Sequence, residues 1–146
     1  MKVGIFRISP KPDPLTEYEI AVIEYLDNHN HEIYIDFLKS LTLKKKQEPL
    51  DINEIDVLFT IGGDGTLLRA IPIVGDSEVP ILGINTGQLG FLTSLNKENL
   101  IKGLDIFFNK NYKLIKRTLI KVKTSPEILD ILDFPYALNE ITVNRK

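Results

Sequence analysis

Ile55-Asp56-Val57-Leu58-Phe59-Thr60-Ile61-Gly62-Gly63-Asp64-Gly65-Thr66-Leu67-Leu68-Arg69-Ala70-Ile71 is the stretch whose reading decides the fold. The apolar run 55–61 reads as a buried strand, and Leu67 to Ile71 can continue into a helix. Between them stand three glycines within four positions, Gly62, Gly63 and Gly65. Such a turn lets the backbone bend tightly and approach a ligand closely. Its N–H groups, with those of the helix start, attract anions, phosphate above all. A carboxylate inside a phosphate cradle repels the ligand unless a metal ion or a transferable proton lies between them. Asp64 is therefore the first candidate for chemistry, and Thr66 strengthens the phosphate reading over that of a purely structural glycine turn.

Working outward, Lys2 to Ile8 predicts a first strand. Asp13-Pro14 predicts a helix cap followed by proline at the first helical position. Leu15, Tyr18, Val22, Tyr25 and Leu26 then recur at helical spacing. Ile33, Ile35 and Phe37 alternate with Glu32, Tyr34 and Asp36, as in a half-exposed strand. Residues 39–52 read as a polar connection carrying Lys44-Lys45-Lys46, a solvated run in preference to a gate over a phosphate site. Pro72 is expected to shorten or kink the helix that follows the glycine turn. Val79 to Asn85 predicts a fourth strand, and Asn96 to Phe108 a further helix with Leu100, Leu104 and Phe107 on one face.

This alternation of strands and helices argues for an open α/β fold, a mostly parallel, Rossmann-like sheet with helices on both faces. Ligands of such sheets bind beyond the C-terminal strand ends, where Gly62–Thr66 and Asn85–Phe91 both fall. After Asn109 the pattern changes. Lys113 to Lys123 and Tyr136 to Arg145 read as strands with no crossover helix between them, punctuated by Pro126 and Pro135. The expectation is an α/β nucleotide-binding domain over 1–109 and the first strands of an incomplete β-rich domain over 110–146. A lone two-stranded unit is marginal in water.

The 146 residues suffice for one domain with a proper core. A hydrophobic fraction of 43% and a charged fraction of 26% are ordinary for a globular protein. The net charge of −2 provides no basic footprint for nucleic acid. The chain contains no cysteine, which excludes disulfides and thiolate metal sites. His29 and His31 read as solvated loop residues rather than a metal pair. No apolar stretch approaches a membrane span, and the start lacks the apolar core of a signal peptide, so the cytoplasm is the expected location.

Two further constellations stand out. In Leu82-Gly83-Ile84-Asn85-Thr86-Gly87-Gln88-Leu89-Gly90-Phe91-Leu92-Thr93, Asn85 ends a strand and offers both a donor and an acceptor. Gly87 and Gly90 permit a close-approaching loop. Phe91 either stacks on a flat base or plugs the core, and composition favours the core. The other is Asn139-Glu140, inside an apolar strand. Adjacent strand residues point to opposite faces, so at most one can face a given pocket unless the strand bends, and the pair can equally mark a solvent face. The standard nucleotide fingerprints, G-x-G-x-x-G after the first strand and G-K-[ST] after a glycine loop, are missing, which excludes an ordinary dinucleotide dehydrogenase or P-loop enzyme.

Taken together, Gly62–Thr66, the Gly83–Leu92 loop and Ala137-Leu138-Asn139-Glu140 resemble, in order and spacing, the NAD kinase family. Diacylglycerol and sphingosine kinases and 6-phosphofructokinases carry related GGDG turns, and the GINTGQLGFLT segment followed by Asn-Glu favours NAD kinase over them. The resemblance implies phosphorylation of the 2′-hydroxyl of the adenosine ribose of NAD, giving NADP. ATP with a divalent metal such as Mg²⁺, or inorganic polyphosphate, is the implied donor. It implies that Asp64 is the catalytic aspartate and that Gly65 and Arg69 line the nucleotide site. It places Phe91, with Leu92 beside it, near the adenine, and has Asn139 and Glu140 hold the dinucleotide. It also implies a dimer or tetramer. A second glycine- and threonine-rich segment that completes the family's NAD site has no counterpart in residues 1–146, so these residues alone are expected to be inactive.

Phosphoryl transfer needs alignment and charge neutralisation more than covalent help. On that footing the Gly62, Gly63, Gly65 and Thr66 amides would hold phosphate oxygens. Asp64 would accept a hydrogen bond from the attacking hydroxyl and take its proton as the new bond forms; direct metal ligation by Asp64 is the rival role. A lipid or sugar kinase on the same turn, and a non-catalytic nucleotide-binding or assembly module, are the competing functions.

Overall fold

The computed structural model describes residues 1–8, 14–35, 51–87, 90–123, 135–138, 140 and 142. The chain divides into two compact units, Met1–Tyr112 and Lys113–Lys146.

The first unit is built on β1 (Lys2–Phe6), β2 (Glu32–Ile35), β3 (Val57–Ile61) and β4 (Ile81–Ile84), all parallel, in the order β2-β1-β3-β4. Val3 pairs with Ile33 on one side and Val57 on the other, and Phe59 pairs with Leu82. The two-residue period of a strand sorts the side chains onto two faces. Val3, Ile5, Val57, Phe59 and Ile61 pack against Val22, Ile23, Tyr25 and Leu26 of α1 (Glu17–Asn28) and Leu100, Leu104 and Phe107 of α3 (Leu100–Phe108). Phe6 and Leu58 face the other way, onto Ala70 of α2 (Asp64–Val74) and Ile55. Helices therefore cover both faces, as a parallel sheet requires. The order turns back between β1 and β3, and the crevice beyond the C-terminal ends there is where such sheets take ligands.

Several boundaries differ from the sequence reading. α1 starts three residues after Pro14, with Thr16 as its cap. The Thr16 hydroxyl accepts the Glu19 N–H at 3.3 Å, and the Glu19 carboxylate accepts the Thr16 N–H at 2.6 Å. This reciprocal box satisfies two orphan donors at once and outweighs the Asp-Pro signal, of which Asp13 lies outside the described residues. α2 begins at Asp64 itself and runs two residues past Pro72. Proline's missing donor costs the one bond to the Leu68 carbonyl four residues back, and the damage stops there because the helix ends two residues on, where the Gly75 N–H closes it on the Ile71 carbonyl at 2.9 Å. The run 96–108 splits into a 3-10 turn at Lys97–Asn99 and α3. Asp36, Phe37, the Lys44–Lys46 run and Pro126 lie outside the described residues.

The second unit contains β5 (Ile120–Lys121) antiparallel to β6 (Tyr136–Ala137). The long strand expected over Lys113–Lys123 shrinks to two residues. Leu114 and Ile115 are exposed and have no ladder partner among the described residues; of the partner strand expected over 136–145, residues 139, 141 and 143–145 lie outside the described ones. No helix among the described residues is long and apolar enough to cross a membrane.

The expectation of solvated histidines is met only in part. His29 is exposed, but its ring stacks on Tyr25 with centroids 4.2 Å apart, and the half-buried His31 stacks on Phe108 at 4.1 Å.

Candidate active site

β3 delivers the chain to the C-terminal rim of the sheet, and Gly62 turns it. Gly62 has φ +151°, and a Cβ there would collide with the Thr66 hydroxyl, so this glycine is fixed by geometry. Gly63 and Gly65 are different. A Cβ on either would meet open space, which leaves room for a ligand to approach the backbone. Gly63 caps α2 with no side-chain hydrogen bond, but two of the four amides expected to hold phosphate are already used: the Gly62 N–H donates to the Ile84 carbonyl and the Thr66 N–H to the Gly63 carbonyl, each at 2.9 Å, which leaves those of Gly63 and Gly65 as the candidates for an anion at this helix start.

Asp64 is the first residue of α2, where the positive end of the helix dipole favours its charge. Its carboxylate turns toward the loop that follows β4. Oδ2 accepts the Phe91 N–H at 2.8 Å. Oδ1 accepts the Leu92 N–H at 3.1 Å, the Thr93 N–H at 3.2 Å and, at a long 3.4 Å, the Thr93 hydroxyl. Burial acts to raise the Asp64 pKa, but the amides of Phe91, Leu92 and Thr93 and the Thr93 hydroxyl overcome it and hold the group below its ordinary value of 3.8. The side chain is thus a carboxylate throughout the neutral range. Three successive amides answer the sequence-level puzzle of a negative charge inside an anion cradle: they compensate much of it before any ligand arrives. The approach is so close that a Cβ on Gly90 would collide with the carboxyl group.

Asn85 sits at the end of β4, buried to 2% exposure. Its Oδ1 accepts the Gly87 N–H at 2.7 Å and its Nδ2 donates to the Thr93 hydroxyl at 3.0 Å, so here the amide serves the loop. Phe91 is 97% exposed, which overturns the core reading: its backbone is pinned on Asp64 while its ring projects into solvent. Leu92 is half-buried beside it. Thr66 is buried under the Gly62 turn. Arg69 is exposed on α2, five residues on from Asp64, about 140° around the helix at ~100° per residue, so the fold does not put the two on one face. Asn139 lies outside the described residues, and Glu140, in the second unit, is exposed.

Sequence reasoning passed over two contributors. Thr93 joins Asp64 to Asn85, and a hydroxyl residue closing a glycine-bounded loop is the signal that could have found it. Arg7, at the end of β1, is buried with Glu19, its Nη1 lying 3.0 and 3.1 Å from the two carboxylate oxygens. The Thr16-x-x-Glu19 box was the readable hint to this pair, which ties the rim of β1 to the start of α1.

The description "ATP-NAD kinase N-terminal domain" matches residues 15–112. The chain belongs to the NAD kinase family. The NAD kinase of Christiangramia forsetii is 37% identical over 100% of this chain and 53% of its own length. That of Methanothermobacter thermautotrophicus is 37% identical over 98% of this chain and 49% of its own. The chain spans about half the length of these curated relatives. Among solved structures, yeast NADH kinase complexed with NADH superposes with a TM-score of 0.57 at 20% identity, covering 84% of this chain and 43% of that one. An NAD kinase from Archaeoglobus fulgidus in complex with ATP has a TM-score of 0.53 at 23% identity, over 82% and 41% of the two chains. This family shares the parallel α/β architecture described above, and the match spans the glycine turn and the Asp64-binding loop alike.

Proposed function

We propose that residues 1–146 carry the acceptor half of an NAD kinase site, which transfers a phosphoryl group from ATP or polyphosphate to the 2′-hydroxyl of the adenosine ribose of NAD, giving NADP. The observation that supports this most strongly is Asp64: an ionised carboxylate at the rim of a parallel sheet, placed by a ligand-accessible glycine turn and oriented by three backbone amides. With its pKa depressed, Asp64 is a weak base toward a resting alcohol. It acts first as a hydrogen-bond acceptor that aligns the hydroxyl, and takes the proton late, as the oxygen–phosphorus bond forms and the alcohol acidifies. Late transfer suits the loose transition state of phosphoryl transfer. Of its two oxygens, Oδ2 accepts one protein N–H among the described residues and Oδ1 three donors, so Oδ2 has the capacity to receive the substrate. The open faces of Gly63 and Gly65 admit phosphate to the amides of the helix start, and the exposed Phe91 ring offers a surface for the adenine. Arg69, Asn139 and Glu140 keep the roles the family resemblance implies, with the dinucleotide as their ligand.

The described residues hold no group of three or more histidine or acidic side chains that could bind a metal, and Asp64 is engaged by backbone donors. That donor set does not fit a resident metal. A divalent ion such as Mg²⁺, which prefers one or two carboxylates with substrate phosphates, would arrive on the phosphates of ATP. A cytoplasmic homo-oligomer is the assembly that accords with this reading.

The test is a transfer assay on the gene product carrying residues 1–146, with labelled ATP or polyphosphate and with NAD, diacylglycerol or fructose 6-phosphate offered as acceptor. Label on NAD alone, at the 2′ position, is expected. Label on the lipid or the sugar would overturn the assignment. The 146 residues by themselves are expected to show no turnover.

A further inference from the structure

Thr93 is buried to 8% exposure, and its hydroxyl stands at a junction of three hydrogen bonds. It accepts from Asn85 Nδ2 at 3.0 Å and from the Gly90 N–H at 3.3 Å. Those two bonds use both lone pairs of a hydroxyl. Its own proton therefore has one direction left, toward Asp64 Oδ1 at 3.4 Å. That contact is long, and its value lies in its direction rather than its strength. The Thr93 N–H reaches the same oxygen at 3.2 Å. One residue thus holds Oδ1 by two donors and, through Asn85, fixes it to the end of β4. With the Leu92 N–H also on Oδ1 at 3.1 Å, that oxygen takes three donors, and Oδ2 accepts the Phe91 N–H at 2.8 Å alone among the described residues.

We propose that Thr93 is a positioning residue of this centre: its hydroxyl, tied to Asn85 and Gly90, locks the loop that carries the Phe91, Leu92 and Thr93 amides, and so steadies the Asp64 carboxylate with Oδ2 toward the acceptor alcohol. The proposal rests on Asp64 being the acceptor group. Asn85 owes its place here to the same junction, since its side-chain amide orders the loop by clamping Gly87 on one side and Thr93 on the other.

Two variants test this in the intact gene product. Thr93→Val keeps the shape and the backbone N–H but removes the hydroxyl; Thr93→Ser keeps the hydroxyl. Thr93→Val is expected to lower kcat about tenfold, the scale of the Asn85–Thr93 hydrogen bond lost with the hydroxyl, with KM for NAD within about twofold. Thr93→Ser is expected to restore at least about half of the wild-type kcat. A second readout uses no turnover. The Phe91 amide proton, which reports the position of Oδ2, should shift in the NMR spectrum of Thr93→Val toward its position in Asp64→Asn, and return in Thr93→Ser. Equal loss in both variants, with a matching fall in Tm, would overturn the proposal by making Thr93 a packing residue. An unmoved Phe91 resonance in Thr93→Val would overturn it too. If Asp64→Asn leaves kcat intact while the Phe91 resonance follows the hydroxyl, the positioning geometry stands and the acceptor role of Asp64 falls.

Discussion

The two ends of the parallel sheet are built from different materials. At the C-terminal rim, glycine turns expose backbone N–H groups, and these gather around one carboxylate. At the opposite edge, side chains do the joining. Tyr25 donates to Asp105 at 2.7 Å, its ring lies 4.2 Å from His29, and His31 stacks on Phe108. The base ties the C-terminal ends of α1 and α3 together. Burial, then the hydrogen bond to Asp105 and its charge, pushes the Tyr25 hydroxyl up to about 12, so it stays a neutral donor. Both ends pair a carboxylate with a donor, but among the described residues the exposed Asp105 carboxylate accepts a single hydroxyl, whereas at the rim three successive backbone amides converge on Asp64 beside the open faces of Gly63 and Gly65.

That contrast can be broken in several places. The largest stability loss should come from Arg7→Ala. It removes the cation beside the buried Glu19 carboxylate, which among the described residues keeps only the Thr16 N–H and hydroxyl at 2.6 and 2.9 Å, and the cost should be about 3 kcal/mol, the lower end for a broken buried pair, read as a fall in the denaturant midpoint. Gly90→Ala should come next. The added Cβ pushes the loop off Asp64, and turnover should drop on the order of 10²-fold, the lower range for a displaced general base, with the core intact by circular dichroism; unchanged turnover would mean the loop does not orient the carboxylate. At the base, Tyr25→Phe should cost only about 1 kcal/mol and leave turnover unchanged, since no part of that cluster meets substrate.

Acid should separate the two ends with the smallest perturbation. Burial, the Met1 amine and His29 lower the His31 pKa below its ordinary 6.5. The unfolded chain therefore binds a proton before the native one does, and the contribution of His31 to stability is complete above about pH 6.5 and is lost as the pH falls through the lowered value. Asp64 works in the same sense but lower: its share is complete above 3.8 and is lost below that, through its own depressed value. Unfolding free energy measured against pH should therefore decline in two separated steps, and His31→Phe should remove the first alone.

The same contrast explains what was legible in the sequence. Val57–Ile61, the Gly62–Thr66 turn and the faces of α1 and α3 were readable because side-chain chemistry and periodicity specify them. The start of α1 was readable too, but the Thr16-x-x-Glu19 box was passed over for Asp13-Pro14. The amides of Phe91, Leu92 and Thr93 were not, because a backbone N–H is the same in every residue and only the folded loop shows where three of them converge. Phe91 illustrates the gap: an aromatic side chain reads as core, yet its backbone is held on Asp64 and its ring is left in solvent. The apolar alternation around Leu114 and Ile115 misled for the opposite reason, since a strand pattern needs a partner beside it and none lies there among the described residues.

The chemistry assigned to the rim rests on the Asp64 carboxylate, and Asp64→Asn in the intact gene product tests it most directly. Turnover with NAD and ATP should fall by ~10²–10⁴-fold, or ~3–5 kcal/mol of barrier, with the fold preserved. Turnover within about threefold of the wild type, well under ~1 kcal/mol, would contradict it.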